Sequence, residues 1–258
     1  MPSYPSAVRL REVGLRDGFQ NEPETVPTAE KARLAGMLAD AGFRRIELTS
    51  FVRPDVIPQL ADAEELLDAY EKRPGVAYSV LIPNERGLDR ALARRERFDE
   101  INVFLSASET HNQRNVNRSI AESLAGLERV IGRARAEGLR CEGVISTSFG
   151  CPYEGEVPVD RVMGIAERLA EAGCEEGGFG DTTGMANPRQ VGEFFAVARE
   201  RLAGVELTAH FHNPRGQGLA NVLAALEQGI DSFESAFGEL GGGPVPPGST
   251  GNIASEDL

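Results

Sequence analysis

The chain has 258 residues, 41% of them hydrophobic and 26% charged, with a formal net charge of -13. That length suits one large α/β domain or two small ones, and the acidity excludes the basic footprint that non-specific nucleic-acid binding needs. No apolar run approaches the roughly 18 residues of a membrane helix, no apolar leader follows Met1, and three cysteines (Cys141, Cys151, Cys174) form neither a metal cluster nor a disulfide framework, so a cytoplasmic protein without a membrane partner is expected.

Short β-branched or apolar runs alternate with longer segments of helical periodicity. The predicted strands are 8–13, 45–50, 77–82, 100–107, 140–148, 175–181, 205–212 and 231–237. Between them the predicted helices are 28–42, 61–72, 85–94, 120–138, 159–173, 188–204 and 216–229, several ending in glycine. Thr28 after Pro27, and Asn187 before Pro188, read as helix starts. Eight strands alternating with seven helices imply parallel pairing through right-handed crossovers, and eight such units close a (β/α)₈ TIM barrel. A doubly wound open sheet is the alternative, but no Gly-rich dinucleotide fingerprint follows the first strand. The chain stops at ASEDL, 254–258, where an eighth helix should begin, so the last helix is expected to be truncated or its place filled by something else. Residues 1–258 read as one barrel domain.

Barrel enzymes carry their chemistry at the C-terminal strand ends. Strand one leads into GLRDGFQNE, with Arg16, Asp17 and Gln20; strand two is RIELTS, with Glu47 and Ser50; strand six ends in GDTTG, with Asp181. Strand seven carries AHFHN, holding two of the three histidines. In an extended strand residues i and i+2 share a side, so His210 and His212 converge. Two buried structural histidines are one reading; a divalent-metal pair is the other, and oxygen ligands decide between them. Asp17, alternatively a turn or cap residue, and Asn252, alternatively an N-cap of the truncated helix, would complete a two-nitrogen, two-oxygen set. That set suits Mg²⁺ or Mn²⁺, with Zn²⁺ and Co²⁺ as further candidates. Arg16 is suited to holding an enolate or carboxylate bidentately, or serves as a structural partner of Glu47, or both.

The chain has only two lysines, Lys31 within the first helix and Lys72 at the end of the second. Placed on the N-terminal face, they make a Schiff-base aldolase unexpected. The loop HNQRNVNRS, 111–119, offers Arg114 and Arg118 for the phosphates of a nucleotide-bearing substrate, or is merely a solvated loop.

Taken together, GLRDGFQNE, RIELTSFV, GCPYEG, GDTTG, HFHN and TGNIASEDL resemble the 3-hydroxy-3-methylglutaryl-CoA lyase family, within the metal-dependent barrel aldolases and Claisen enzymes. The resemblance runs from about residue 8 to the end. It implies that Asp17, His210, His212 and Asn252 bind the cation, that Arg16 stabilises the enolate of the departing acetyl unit, and that Glu47 and Asp181 support the site. It further implies retro-aldol cleavage of a 3-hydroxy acyl-CoA, and a homodimer. The family's lid loop carries cysteine in a GGCP-type sequence; here it reads GGGP, with Gly243 in that place. Cys151 lies in another loop and reads as structural. An aldol or Claisen enzyme acting on another carboxylic substrate is the first alternative, although its synthases have a shorter arginine-containing segment before the final GN. A non-catalytic barrel is the second.

Overall fold

A computed structural model describes residues 4–242 and 251–258. Its strands are β1 (Arg9–Glu12), β2 (Arg45–Ser50), β3 (Ala77–Leu81), β4 (Glu100–Ser106), β5 (Arg140–Ser146), β6 (Glu176–Asp181), β7 (Glu206–Phe211) and β8 (Ser232–Ser235). Every neighbouring pair is parallel, and β8 pairs with β1 to close the barrel. The helices are α1 (Thr28–Asp40), α2 (Ala63–Ala69), α3 (Glu85–Leu92), α4 (Glu109–Val116), α5 (Ile120–Ala136), α6 (Val159–Ala172), α7 (Pro188–Arg201) and α8 (Gly218–Glu227). None among the described residues is long and apolar enough to cross a membrane.

The predicted strands all form, within a few residues at their ends. The helix count differs by one, because 111–119 is no simple loop. Most of it belongs to α4, which lacks the apolar periodicity that reveals a helix. Local polar bonds build it instead: the Ser108 side chain caps the start by accepting from the His111 amide, and Asn117 ends it in the left-handed region at φ 54°. Asn112, buried, then ties α4 to α5 by donating to the Arg118 carbonyl and the Ser123 hydroxyl.

The apolar core lies between the strands and the helices. Ile46, Leu48, Ile101, Val103, Leu105, Phe179 and Phe233 belong to one buried cluster with Leu66, Leu127, Val130 and Phe194. Each such side chain stabilises the fold by roughly 1.5–3 kcal/mol relative to exposure. Alternate strand positions face the barrel axis, and here they are charged. Arg11 reaches Glu142, Glu234, Glu100 and Glu176 from β1, while Arg45 pairs with Glu100 and Glu176. The usual barrel interior is filled by branched apolar side chains; this one is filled by a network of arginine–glutamate ion pairs. Gly178 makes room for it, since a Cβ there would sit 2.8 Å from Glu142 Oε1.

Candidate active site at the barrel mouth

The stretch GLRDG, Gly14–Gly18, leaves β1 as a single wide π-turn. The Val13 carbonyl accepts from the amides of Arg16, Asp17 and Gly18, at 3.1, 2.7 and 3.2 Å. Such turns recur at functional sites because they re-aim side chains that a regular turn would send elsewhere. Asp17 is buried. Burial pushes its carboxyl up, but Arg16 first, and then His210, His212 and Asn252, hold it down to about 2.

His210 and His212 project from the end of β7 with their Nε2 atoms 3.0 Å apart. One ligand atom each from Asp17, His210 and His212 falls within 4.8 Å of the others, the only such group of three among the described residues. His210 Nδ1 lies 2.7 Å from Glu234 Oε2. Burial disfavours the charged imidazole, yet the hydrogen bond and charge of Glu234 raise its pKa above the ordinary value.

Asn252 reaches this cluster without a helix around it. Residues 251–253 run back beside the barrel: the Asn213 amide donates to the Gly251 carbonyl, the Ile253 amide to Phe211, and His212 bridges to Asn252. The N-cap alternative for Asn252 is thereby excluded, and among the described residues only the short 3₁₀ turn Phe237–Glu239, and no α-helix, follows β8. The Asn252 amide nitrogen donates to Asp17 Oδ2 at 2.7 Å and to the Leu240 carbonyl at 3.0 Å. Its Oδ1 is buried with no hydrogen-bond partner. An unsatisfied buried carbonyl oxygen on a residue that bridges to His212 and bonds to Asp17 fits a divalent cation, which would take it as a ligand. Gly241 permits the approach, at φ 122°: any Cβ there would collide with the Asn252 amide and crowd Asp17.

Arg16 joins this cluster to a second carboxylate. Its Nε donates to Glu47 Oε2 at 2.7 Å and its terminal nitrogen to Asp17 Oδ1 at 2.6 Å. Asn102 donates to the other Glu47 oxygen at 2.9 Å. Burial outweighs Arg16 and leaves Glu47 above its ordinary pKa. Asp181 ends β6, where Gly180 stands in register with His210. Its Oδ1 accepts from the Met185 and Ala186 amides at 2.7 and 3.1 Å, and its Oδ2 is buried without a partner. Burial outweighs those amides and lifts its pKa to about 6.

Other expected residues lie at varying removes. Gln20 is half-buried in the turn just after Asp17, and Ser50 is buried at the end of β2, its hydroxyl accepting from the Val52 amide. Arg114 stacks its guanidinium 4.2 Å from the Tyr153 ring centre. Arg118 instead lines a cavity of about 620 Å³ with Arg53, Arg86, Arg90 and Arg129, which contains none of the metal-cluster residues. Gly243 lies outside the described residues. Cys151 is buried, its thiol 3.0 Å from the Ser108 hydroxyl, as the structural reading requires.

Lys31 corrects the expectation. A barrel helix runs back against its strand, so the first turn of α1 stands at the C-terminal face, not the N-terminal one. Its ammonium is nonetheless committed, 2.6 Å from both Asp62 Oδ1 and the Gln59 carbonyl. Lys72 does lie on the opposite face, paired with Asp99. The residue that sequence reasoning missed is Glu234. The alternation of DSFES marks it as an axis-facing carboxylate, and only the β7–β8 register sets it beside His210.

A family model described as HMGL-like matches residues 7–258. A hydroxymethylglutaryl-CoA lyase of Bacillus subtilis (strain 168), YngG, is 44% identical over 255 residues, covering 99% of this chain and 85% of that protein. The 3-hydroxy-3-isohexenylglutaryl-CoA/hydroxy-methylglutaryl-CoA lyase of Pseudomonas aeruginosa is 44% identical over 261 residues, with coverage of 99% and 85%. The structure of an HMG-CoA lyase from Acinetobacter baumannii in complex with coenzyme A and 3-methylmalate superimposes with a TM-score of 0.94 at 41% identity, covering 100% of this chain and 84% of that one. The closed barrel, the ligand cluster at its mouth and a match over nearly the whole chain lead to one assignment: the chain belongs to the HMGL-like family, whose members depend on a divalent metal.

Proposed function

We propose that residues 1–258 act as one catalytic barrel domain, a carbon–carbon lyase that cleaves a 3-hydroxy-3-methylglutaryl-CoA-like thioester to acetyl-CoA and a keto product. The observation that carries this reading is the convergence of Asp17, His210 and His212 beside the Arg16 guanidinium.

Asp17, His210, His212 and Asn252 would hold the cation, for which Mg²⁺ or Mn²⁺ suits the nitrogen and oxygen set. When bound, it supplies a Lewis acid for the substrate oxygens. The remaining work falls to the chain's own side chains. In the retro-aldol step the 3-hydroxyl loses its proton, the C2–C3 bond breaks, and its electron pair moves into the thioester as an enolate. C3 becomes the ketone, and a proton returned to C2 completes acetyl-CoA. Arg16, held by Glu47, presents a fixed guanidinium to the enolate oxygen, where charge grows during bond cleavage. Asp181, with one oxygen pinned by two amides and the other unpartnered, is the carboxylate we assign to the hydroxyl proton. Gln20 and Ser50 flank the mouth for the acyl portion, and Arg114 and Arg118 offer cations for the phosphates. Charge reversal of both arginines should then raise the Michaelis constant for the acyl-CoA; an unchanged constant removes them from the site.

Gly243 favours a second reading, a related aldol-type enzyme with a different acyl substrate. A lid thiol can move protons and glycine cannot, and such help is typically worth ~10²–10⁴-fold in rate. Turnover of 3-hydroxy-3-methylglutaryl-CoA by the wild type and by Gly243→Cys separates the two. Slow wild-type cleavage, accelerated in the cysteine variant, is the outcome the second reading expects. Efficient wild-type cleavage that the substitution leaves unchanged overturns the importance given to the missing thiol.

A further inference from the structure

The His210–Glu234 contact opens onto the ion network below it. Glu234 is 4% exposed, and its two oxygens face opposite ways: Oε2 lies 2.7 Å from His210 Nδ1, while Oε1 accepts from the Arg11 guanidinium at 2.8 Å. Arg11 itself is 1% exposed and held by three further carboxylates, Glu142, Glu100 and Glu176. The carboxylate therefore has no freedom to turn, and an ionised carboxylate can only accept. On the far side of the ring, His210 Nε2 points at His212 Nε2.

We propose that Glu234, clamped by Arg11 from the barrel interior, is a positioning residue that fixes His210 as its Nδ1–H tautomer, so that Nε2 offers a lone pair to the cation. The inference rests on the metal-site reading given above. A carboxylate behind a ligating imidazole fixes tautomer and ring orientation, and losing it typically costs 10–100-fold in metal affinity. Glu234→Gln makes a sharp case. The Arg11 guanidinium can only donate, so the amide oxygen must turn to it and the amide NH₂ must face His210 Nδ1. That donor drives the ring proton onto Nε2, where it blocks the cation.

The test uses the ¹⁵N-labelled full chain without metal, at alkaline pH where the imidazoles are neutral. Long-range ¹H–¹⁵N correlation should show the His210 proton on Nδ1 in the wild type and on Nε2 in Glu234→Gln. Calorimetric Mn²⁺ titration should show affinity ~10–100-fold weaker in the variant, with Glu234→Asp retaining the wild-type tautomer. A wild-type His210 protonated on Nε2, or a Gln variant with wild-type tautomer and affinity, overturns the proposal. The wild-type tautomer needs no variant, so a Gln substitution that fails to fold still leaves a decisive result. If the wild type binds no Mn²⁺, the metal-site reading fails by itself, and the tautomer still decides what Glu234 does.

Discussion

The barrel axis holds two buried charged regions a few residues apart, and they are built on opposite terms. In the floor, Arg11 and Arg45 pair with Glu100, Glu142 and Glu176, so each guanidinium meets carboxylates within the fold, while burial holds Glu142 well above its ordinary pKa. At the mouth, groups able to ligate a cation converge instead: two imidazole Nε2 atoms 3.0 Å apart, the Asp17 carboxylate held by Arg16 and Asn252, and Asn252 itself, whose Oδ1 has no partner. The floor network stabilises a shape, whereas the mouth gathers side chains of which one oxygen, Asn252 Oδ1, still lacks a partner and suits something added. Glu234 belongs to both, with one oxygen in each region.

Substitution tests how far that contrast holds. The largest effect belongs to the mouth: His210→Ala or Asp17→Ala should abolish cation binding and turnover while circular dichroism stays barrel-like, and wild-type Mn²⁺ affinity in both would sink the ligand assignment. In the floor the loss should appear as stability. Arg11→Met strands several carboxylates without their cation, and denaturant unfolding should show about 3–5 kcal/mol of destabilisation. A near-neutral Arg11→Met would mean that the network tolerates loss of its centre.

Arg16→Lys probes the boundary between the regions. The ammonium keeps the charge but not the fork that spans Glu47 and Asp17, so Mn²⁺ should still bind while turnover falls ~10²–10³-fold. Near-normal turnover would reduce Arg16 to a structural partner of Glu47.

The smallest expected effect concerns Glu12, at the end of β1. Burial raises its carboxyl from 4.5 to about 7, against hydrogen bonds from Ser255, Gly14 and Phe237. The native state therefore holds a proton that the unfolded chain releases above about 4.5. That contribution is full below 4.5 and is lost as pH rises through about 7, on the order of 3 kcal/mol in all. Glu12→Gln keeps the acceptor for both amides. Relative to wild type it should gain stability as pH rises from 4.5 to about 7, read from unfolding midpoints across that range. A difference independent of pH would show that Glu12 is ionised in the fold.

Much of this was legible in the residues. The period-2 and period-3.6 patterns marked eight strands and seven helices, because burying an apolar face imposes a period wherever an element packs on the core. HFH placed two imidazoles on one side of β7 because strand geometry alone puts i and i+2 together. Helix α4 escaped because capping and a buried asparagine, not an apolar stripe, hold it together. Lys31 sits on the C-terminal face, which its residue type and spacing do not reveal, because that depends on the direction in which a helix returns along its strand. Strand pairing decided the rest. Glu234 becomes a partner of His210 only when β8 closes on β7 and β1, and Asn252 meets Asp17 across 235 positions of chain only when the segment after β8 folds back over the mouth. Local sequence determines the secondary structure and the residue types on each face; closing the ring determines which of those faces meet.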